Sequence, residues 1–592
     1  MKTKILKYIF FFLCVGTMTS CEDQFLTKVN PNEIASDNFW QNLTDTQTGL
    51  NAAYASLRNY FVYSFVESSC KADMGWPGYG RPAPTSTSTG INYYYFRFTN
   101  SESTIQSKWE ADYIGIFRAN QVIEALNRLK GTVDQAGWTT QMAQARFLRG
   151  LFHFYLHNDF NHGDIIIRDK VPQSLEDFNK GVSPSAEVIA FFRNDLIYAY
   201  NNLPSKYTDG AASQGKASKG TAATILGTSY LYENQIDSAK VFFDDVINNP
   251  AYGYTLETDM TKMFTTKGEF NSESILEIPY SSTLRSEITA WNENSMSNRL
   301  AFYSTNIVGC YVPSWLASAY KYEKMDTLDA RNYSVVNSVK KLRGVSLRAS
   351  AMVSLPEDDQ SVYYGGLTVL TGKFGATGYG PSFYKKYTNH DILTSETLLP
   401  RGTLYSGKNF IANRLSEVYL NDAECMIKNG NVDSALILIN AIRKRWALKL
   451  LGPDKNDGHA YDNVNYTTES LMNRLMYLEK PLELSAEGNS LRWNDLRRWG
   501  IIKSNLTKLA ATKYYFNGYE FLNSASVITR STISISPDSI PLVYMASGVQ
   551  KKLLPIVENY EYTISASSYV PESHDYLPIP MSEITSNSAL KR

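Results

Sequence analysis

Residues 230–248 read YLYENQIDSAKVFFDDVIN, and residues 425–443 read CMIKNGNVDSALILINAIR. Both stretches end one apolar run, pass through a polar turn, and open a second run on nearly the same phrase. In the first the phrase is Ile236-Asp237-Ser238-Ala239, and in the second Val432-Asp433-Ser434-Ala435. A chain that repeats a helix, a turn and a helix is built from units that stack.

The spacing of small and large residues names the unit. Leu226-Gly227, Tyr230, Ala239 and Phe243 stand at the offsets of a tetratricopeptide repeat, where small residues let two antiparallel helices approach and large ones fill the space beside them. The second copy keeps the frame, with Ala423 in the place of Gly227 and Ala435 in the place of Ala239. Met426 replaces Tyr230, and Ile439 replaces Phe243. One such hairpin cannot bury its apolar face alone, so further helix pairs are expected around it.

At 592 residues the chain exceeds the usual size of a single core, so several packed units are expected. Basic and acidic residues balance at 58 each, which gives no electrostatic reason for a nucleic-acid partner. Aromatic residues make up 13%, with 41 tyrosines among them, and tyrosine marks surfaces that hold amphipathic molecules.

The N-terminus reads as an export signal. Lys2, Lys4 and Lys7 precede an apolar run from Tyr8 to Val15, too short to span a bilayer, and small residues lead to Cys21. Met18-Thr19-Ser20-Cys21 is similar to a bacterial lipoprotein cleavage box, with Met18 where Leu is usual. The expected division is a signal over 1–20 and a single domain over 21–592, lipidated on Cys21. Cys70, Cys310 and Cys425 remain beyond it, an odd number with wide spacing, so buried free thiols are expected for most of them.

Helical periodicity marks about 45–60, 104–129, 140–157, 185–202 and 217–249, then 414–450 and 468–498. The tail from Ile501 reads as mixed loop and short helix. A helical scaffold over about 36–250 and 410–500 is therefore expected. Loop-rich insertions over about 70–98 and 251–409 interrupt it, with brief strands such as 361–371. The fold class is mainly α, a helical-repeat superhelix, and binding is expected on insertions that a rigid scaffold carries.

No catalytic constellation emerges. His153 and His157 have zinc-pair spacing, but HFYLH lacks the glutamate of H-E-x-x-H and a third ligand. Glu479, Glu483 and Glu487 form an i, i+4 ladder of the residue type glycosidases use. Arg492, Arg497 and Arg498 lie in the same run and are expected to neutralise it. PDKNDGHAYDN (453–463) has Gly458 one place early for a calcium loop and reads as a solvated loop. Neither a metal nor another cofactor is expected.

Several stretches, in order along the chain, resemble the SusD/RagB family of Bacteroidetes outer-membrane lipoproteins. They are CEDQFLTKVNPNEIASDNFW (21–40), ARFLRGLFHFYLHNDFNHGDIII (145–167), KASKGTAATILGTSYLY (216–232), and RLSEVYLNDAECMIKNGNVDSALILINAIRKRW (414–446). LEKPLELSAEGNSLRWNDLRRWG (478–500) and YLPIPMSEITSNSAL (576–590) complete the set, with His162 as a departure where Phe is common. The resemblance implies a SusD-like superhelix on the cell surface, partnered with a SusC-type TonB-dependent transporter. It implies capture of oligosaccharide or polysaccharide, or in the RagB branch of peptide. A glycosidase built on Glu483 and Glu487 is the remaining alternative.

Sugar recognition needs flat rings for the apolar pyranose face and polar side chains for the hydroxyl rim. Loop aromatics outside the family-like segments are therefore the candidates. Trp76 and Tyr79 lie in KADMGWPGYGRP, Trp291 with Asn292 and Asn294 in SEITAWNENSMSN, and Tyr363 and Tyr364 beside a glycine pair. Trp109, Trp315, Trp493 and Trp499 read as scaffold.

Overall fold

The computed structural model describes residues 39–77, 84, 90–281, 310–394 apart from 337, 359, 367 and 370–381, then 406–522, and 528–591 apart from 537–542, 547–548 and 553–554. Cys21 and the signal lie outside these residues, as do Tyr79, Trp291, Asn292 and Asn294.

The scaffold helices are α1 (Leu43–Ala55), α2 (Phe65–Lys71), α3 (Ser103–Leu129), α4 (Gln135–Asp159), α5 (Ser185–Asn202), α6 (Lys219–Tyr232) and α7 (Ile236–Asn248). After the insertion come α8 (Ser314–Lys321), α9 (Leu415–Lys428), α10 (Val432–Arg445), α11 (Thr468–Arg474), α12 (Leu491–Arg498) and α13 (Ile502–Ala511). The strands used below are β1 (Trp76–Pro77), β2 (Ser274–Ile278), β3 (Cys310–Tyr311), β4 (Phe410–Arg414), β5 (Lys513–Leu522), β6 (Ile528–Ser536) and β7 (Pro555–Tyr560). The molecule is mainly helical, and consecutive helices from α3 to α7 pack as neighbours.

The repeat frame works as its spacing requires. A Cβ on Gly227 would lie 2.6 Å from the ring of Phe243, so the glycine is what admits that ring between α6 and α7. Phe243 and Ala239 are fully buried, as are Ala423, Ala435 and Ile439 in the second copy. Asn234 and Gly430 take left-handed backbone at the two turns, which glycine and asparagine tolerate best.

The two copies also touch. Ala223, Ala239, Phe243 and Val246 share one apolar cluster with Leu415, Val418 and Cys425. At its rim Lys428 donates to Asn234 at 3.0 Å, 194 positions away, and Asn429 donates to Asp237 at 3.1 Å. The long insertion permits this because β2 leaves the first copy and pairs antiparallel with β4, which enters the second. The Leu415 amide then donates to the Glu273 carbonyl at 2.9 Å and closes the base of the insertion.

Four expectations are corrected. The helix expected to start near 140 begins at Gln135, because the Asp134 side chain accepts from the Gly137 amide and caps it. The helix expected over 468–498 is broken. Its first part becomes a π turn at Leu475–Glu479, and left-handed residues at Ala486, Gly488 and Ser490 precede α12. Pro481 has no amide to offer the carbonyl of Tyr477, so regular α geometry cannot run through that turn. The tail, read as loop and short helix, holds an antiparallel sheet of order β7-β5-β6. The alternation in ITRSTISIS was its signal. Among the described residues of 361–371 the chain is turn-rich and forms no strand beyond a single bridge position at Tyr363.

Candidate functional site

Two of the insertions share one root. β1 and β3 pair antiparallel, with Trp76 opposite Tyr311 and Pro77 opposite Cys310. Residues 78–83 follow Pro77 directly, and residues 282–309 end directly before Cys310. The chain that carries Tyr79 therefore departs beside the point where the chain that carries Trp291, Asn292 and Asn294 returns. A third segment, 370–381, returns at the same place: the Val312 amide donates to the Ser382 carbonyl at 3.2 Å. Next to it Phe383 packs 5.0 Å from the Tyr311 ring, and the Tyr384 hydroxyl donates to the Met74 carbonyl at 2.5 Å.

Trp76 is corrected by this arrangement. It was expected to be exposed by its Gly/Pro-rich surroundings, yet it is 1% exposed and meets Tyr94 edge to face at 5.5 Å. Gly75 lets the chain turn back under α2, which draws the indole into the core. Tyr363 and Tyr364, at 1% and 4% exposed, are also packed under the surface. Their rings meet at 4.4 Å, and Tyr363 lies stacked on His390 at 5.6 Å. Of the seven residues expected to hold a ligand, these three fall among the described residues, and all three are buried.

What fixes the β1 side of the root is a buried ion pair between residues distant in sequence. Asp73, three residues before Trp76, receives two hydrogen bonds from Arg492, at 2.8 and 2.7 Å, and one from Asn505 at 2.8 Å. The Trp315 indole donates to the Asp73 carbonyl at 2.6 Å, which accounts for its scaffold-like surroundings. Glu561 performs the same service for β3, accepting from the Ser314 amide at 2.8 Å and the Ser314 hydroxyl at 2.6 Å. Charged pairs with bidentate geometry of this kind are strong and directional.

The carboxylate ladder is fully engaged in structure, but by partners other than those expected. Glu479 is paired with Arg443 at 2.7 Å and Arg474 at 2.8 Å. Glu483 meets Arg414 at 2.7 Å, Arg348 at 3.4 Å, the Arg445 guanidinium, and the Trp446 indole at 2.8 Å. Glu487 meets Arg414 and Lys386, each at 2.7 Å. Arg492, Arg497 and Arg498 turn away. Arg492 goes to Asp73, Arg497 to the Asn158 carbonyl at 2.7 Å, and Arg498 to Glu424 and Asp495. The break after Glu483 is the reason, since it ends the common helical face on which the two groups would have met. Burial alone would raise the Glu483 carboxyl, but Arg445, Arg414 and Arg348 overcome it and hold the group at about 2. A permanently ionised carboxylate ringed by guanidiniums cannot donate a proton to a leaving group.

The histidine pair is likewise occupied. His153 Nδ1 lies 2.8 Å from the Arg149 carbonyl, and His157 Nε2 lies 2.8 Å from the Ser185 hydroxyl. Burial lowers both imidazoles to about 4. In the 453–463 loop, His459 sits 2.8 Å from Asp326 and near Asp329, three side chains close enough to share a cation. Arg331 already holds both oxygens of Asp329, and Asp326 also accepts from the amides of Leu328 and Ala460, so the cluster pairs internally.

A second feature lies on the outer face of α3. Trp109, Tyr113 and Phe117, one helical turn apart, line a cleft of about 350 Å³ with Ile166, Phe178 and Glu583. Trp109 is almost wholly buried and donates to Glu583 at 3.2 Å, whereas Phe117 and Phe178 are open to solvent.

The described structure is a mainly helical repeat scaffold with insertions rooted on one short ladder. The chain belongs to the SusD family: the family model described as "SusD family" matches residues 272–592. A second model, "Starch-binding associating with outer membrane", matches residues 24–231. A SusD-like protein of Bacteroides ovatus is 25% identical over 555 residues, covering 90% of this chain and 93% of the relative. A SusD superfamily protein from Bacteroides vulgatus has the same fold, with a TM-score of 0.67 at 20% identity, over 93% of this chain and 98% of that one. A laminarin-binding SusD-like protein superposes with a TM-score of 0.60 at 23% identity, over 79% of this chain and 94% of that one.

Proposed function

We propose that this protein is a lipid-anchored, surface-exposed outer-membrane lipoprotein. It captures oligosaccharide or polysaccharide and delivers it to a SusC-like TonB-dependent transporter. The observation that carries the reading is the shared root at β1 and β3. Segments bearing Tyr79 and Trp291 leave one rigid ladder together, which is how a binding surface is mounted on a scaffold. Family membership supports the same reading. One matching model is described by starch binding at the outer membrane, and a relative of the same fold binds laminarin.

In this reading Tyr79 and Trp291 supply ring faces, Asn292 and Asn294 meet the hydroxyl rim, and Trp76, Tyr363 and Tyr364 support them from below. Among the described residues the glutamate ladder is taken up in ion pairs, and capture without hydrolysis is the proposed activity. Calorimetric titration with laminarin, other plant, microbial and host glycans, and a peptide pool tests the class of ligand. Saturable binding of glycan supports it, and binding of peptides alone would transfer the reading to the RagB-like branch. Substituting Cys21→Ala should release the protein from membranes or leave the signal uncleaved. Mild-detergent extracts should yield the protein together with a transporter barrel, and isolation only as a monomer counts against the partnership.

A further inference from the structure

Cys70 and Cys310 lie at the same root, 1% and 2% exposed, and each is a free thiol in this structure. Cys70 ends α2, after which the chain reverses: the Met74 amide donates back to the Ser69 carbonyl at 3.2 Å. The reversal lays Gly75 against α2, so that a Cβ on Gly75 would lie 3.2 Å from the Cys70 sulfur. α2 packs against both β1 and β3. Pro77 is paired with Cys310, and paired residues present their side chains on a common face of the ladder. The Cys70 sulfur therefore lies beside the β1–β3 pair that holds Cys310, and burial together with the neighbouring Cys310 pushes the Cys70 thiol up. Gly90 closes the pocket from the other side, where a Cβ would come within 2.9 Å of the Cys70 sulfur. Cys425 is remote from the pair, in the cluster between the two repeat copies.

We propose that Cys70 and Cys310 are a cross-linking site, joined as a disulfide when the chain folds in the presence of a disulfide oxidant. The thiolate of one cysteine attacks a sulfur of the oxidant, forms a mixed disulfide and expels one oxidant thiolate. The second cysteine then attacks the protein sulfur of that mixed disulfide and expels the other. Two cysteine thiols lose two protons and two electrons, and the oxidant disulfide is reduced to two thiols. The bond ties α2 to β3, and so fixes the departure of the 78–89 segment to the return of the 282–309 segment. Burial slows exchange in the finished fold, which places the reaction during folding, while the sulfurs are accessible. The cross-link is a property of the chain and does not depend on which ligand the protein captures.

The test is a refolding experiment with a peptide map. The full chain is reduced in urea, refolded in a buffer of oxidised and reduced glutathione, blocked with maleimide in acid, and digested. The expected product is one species joining the Cys70 and Cys310 peptides, lighter than the two thiol peptides by two hydrogens and separated by reductant. Cys425 is expected to carry a single maleimide. Recovery of Cys70 and Cys310 each with its own maleimide, or joined to Cys425 or to glutathione, overturns the proposal. Should the chain not regain its helical spectrum after full denaturation, native protein incubated with oxidised glutathione below its unfolding midpoint is mapped in the same way, with the same two outcomes.

Discussion

Arg492 grips Asp73 with two parallel hydrogen bonds, Nε to Oδ1 at 2.8 Å and Nη2 to Oδ2 at 2.7 Å, across 419 positions of sequence. Asp73 stands at the root of the first insertion, and Arg492 stands in the most family-like helix of the C-terminal half. The pair therefore ties the scaffold to the ladder at which the proposed binding segments are rooted.

Cutting this pair should loosen the root. Asp73→Ala leaves a buried guanidinium uncompensated, which costs about 3–5 kcal/mol of folding stability. Urea unfolding reads the cost, and glycan affinity should fall with it. A variant as stable as the wild type would show that the pair is dispensable.

Glu483 gives a pH dependence of definite sign. Its folded value of about 2 lies below the ordinary glutamate value of about 4.3. A depressed carboxylate contributes its stability in full above the unfolded value and loses it as pH falls through the folded one. Glu483→Gln should therefore be less stable than the wild type by roughly 3 kcal/mol at pH 7. The gap should close as the pH falls from about 4.3 toward about 2. Unfolding curves at several acid pH values check this, and a gap that stays constant would mean that the carboxylate charge is not what matters. Neither protein should release sugar from a bound glycan.

The buried Trp76 and the proposed ligand aromatics should respond oppositely. Trp76→Ala removes a core ring and is expected to cost about 3–5 kcal/mol of stability. Trp291→Ala and Tyr79→Ala are expected to leave the melting curve in place. Each should weaken glycan binding by about 1–3 kcal/mol, by analogy with stacking on nucleic-acid bases. Intact affinity in both would move the ligand away from these two segments.

Gly227 tests the repeat. A valine there would place its Cβ 2.6 Å from the Phe243 ring, and overpacking of this kind costs about 1–3 kcal/mol. Thermal unfolding measures it. A Gly227→Val protein with an unchanged melting temperature would mean that α6 and α7 separate without penalty.

The sequence by itself determined the helical pairs, because their stability rests on contacts between residues close in the chain. Gly227 and Phe243, or Ala423 and Ile439, are near enough for their spacing to be read as packing. The engagement of the glutamate ladder in structure was legible for the same reason, as charges of both signs crowd one short run. Its partners were not, since Arg348, Arg414 and Arg445 come from other elements and the break after Glu483 turns Arg492 away. The sheet in the tail was missed because alternation over a few residues is a weak signal until strands pair. Trp76 was misjudged because glycine and proline mark a bend without saying which way it faces. Only tertiary contact decides that direction. Here the reversal at Met74 and the ladder with Tyr311 carry the indole inward.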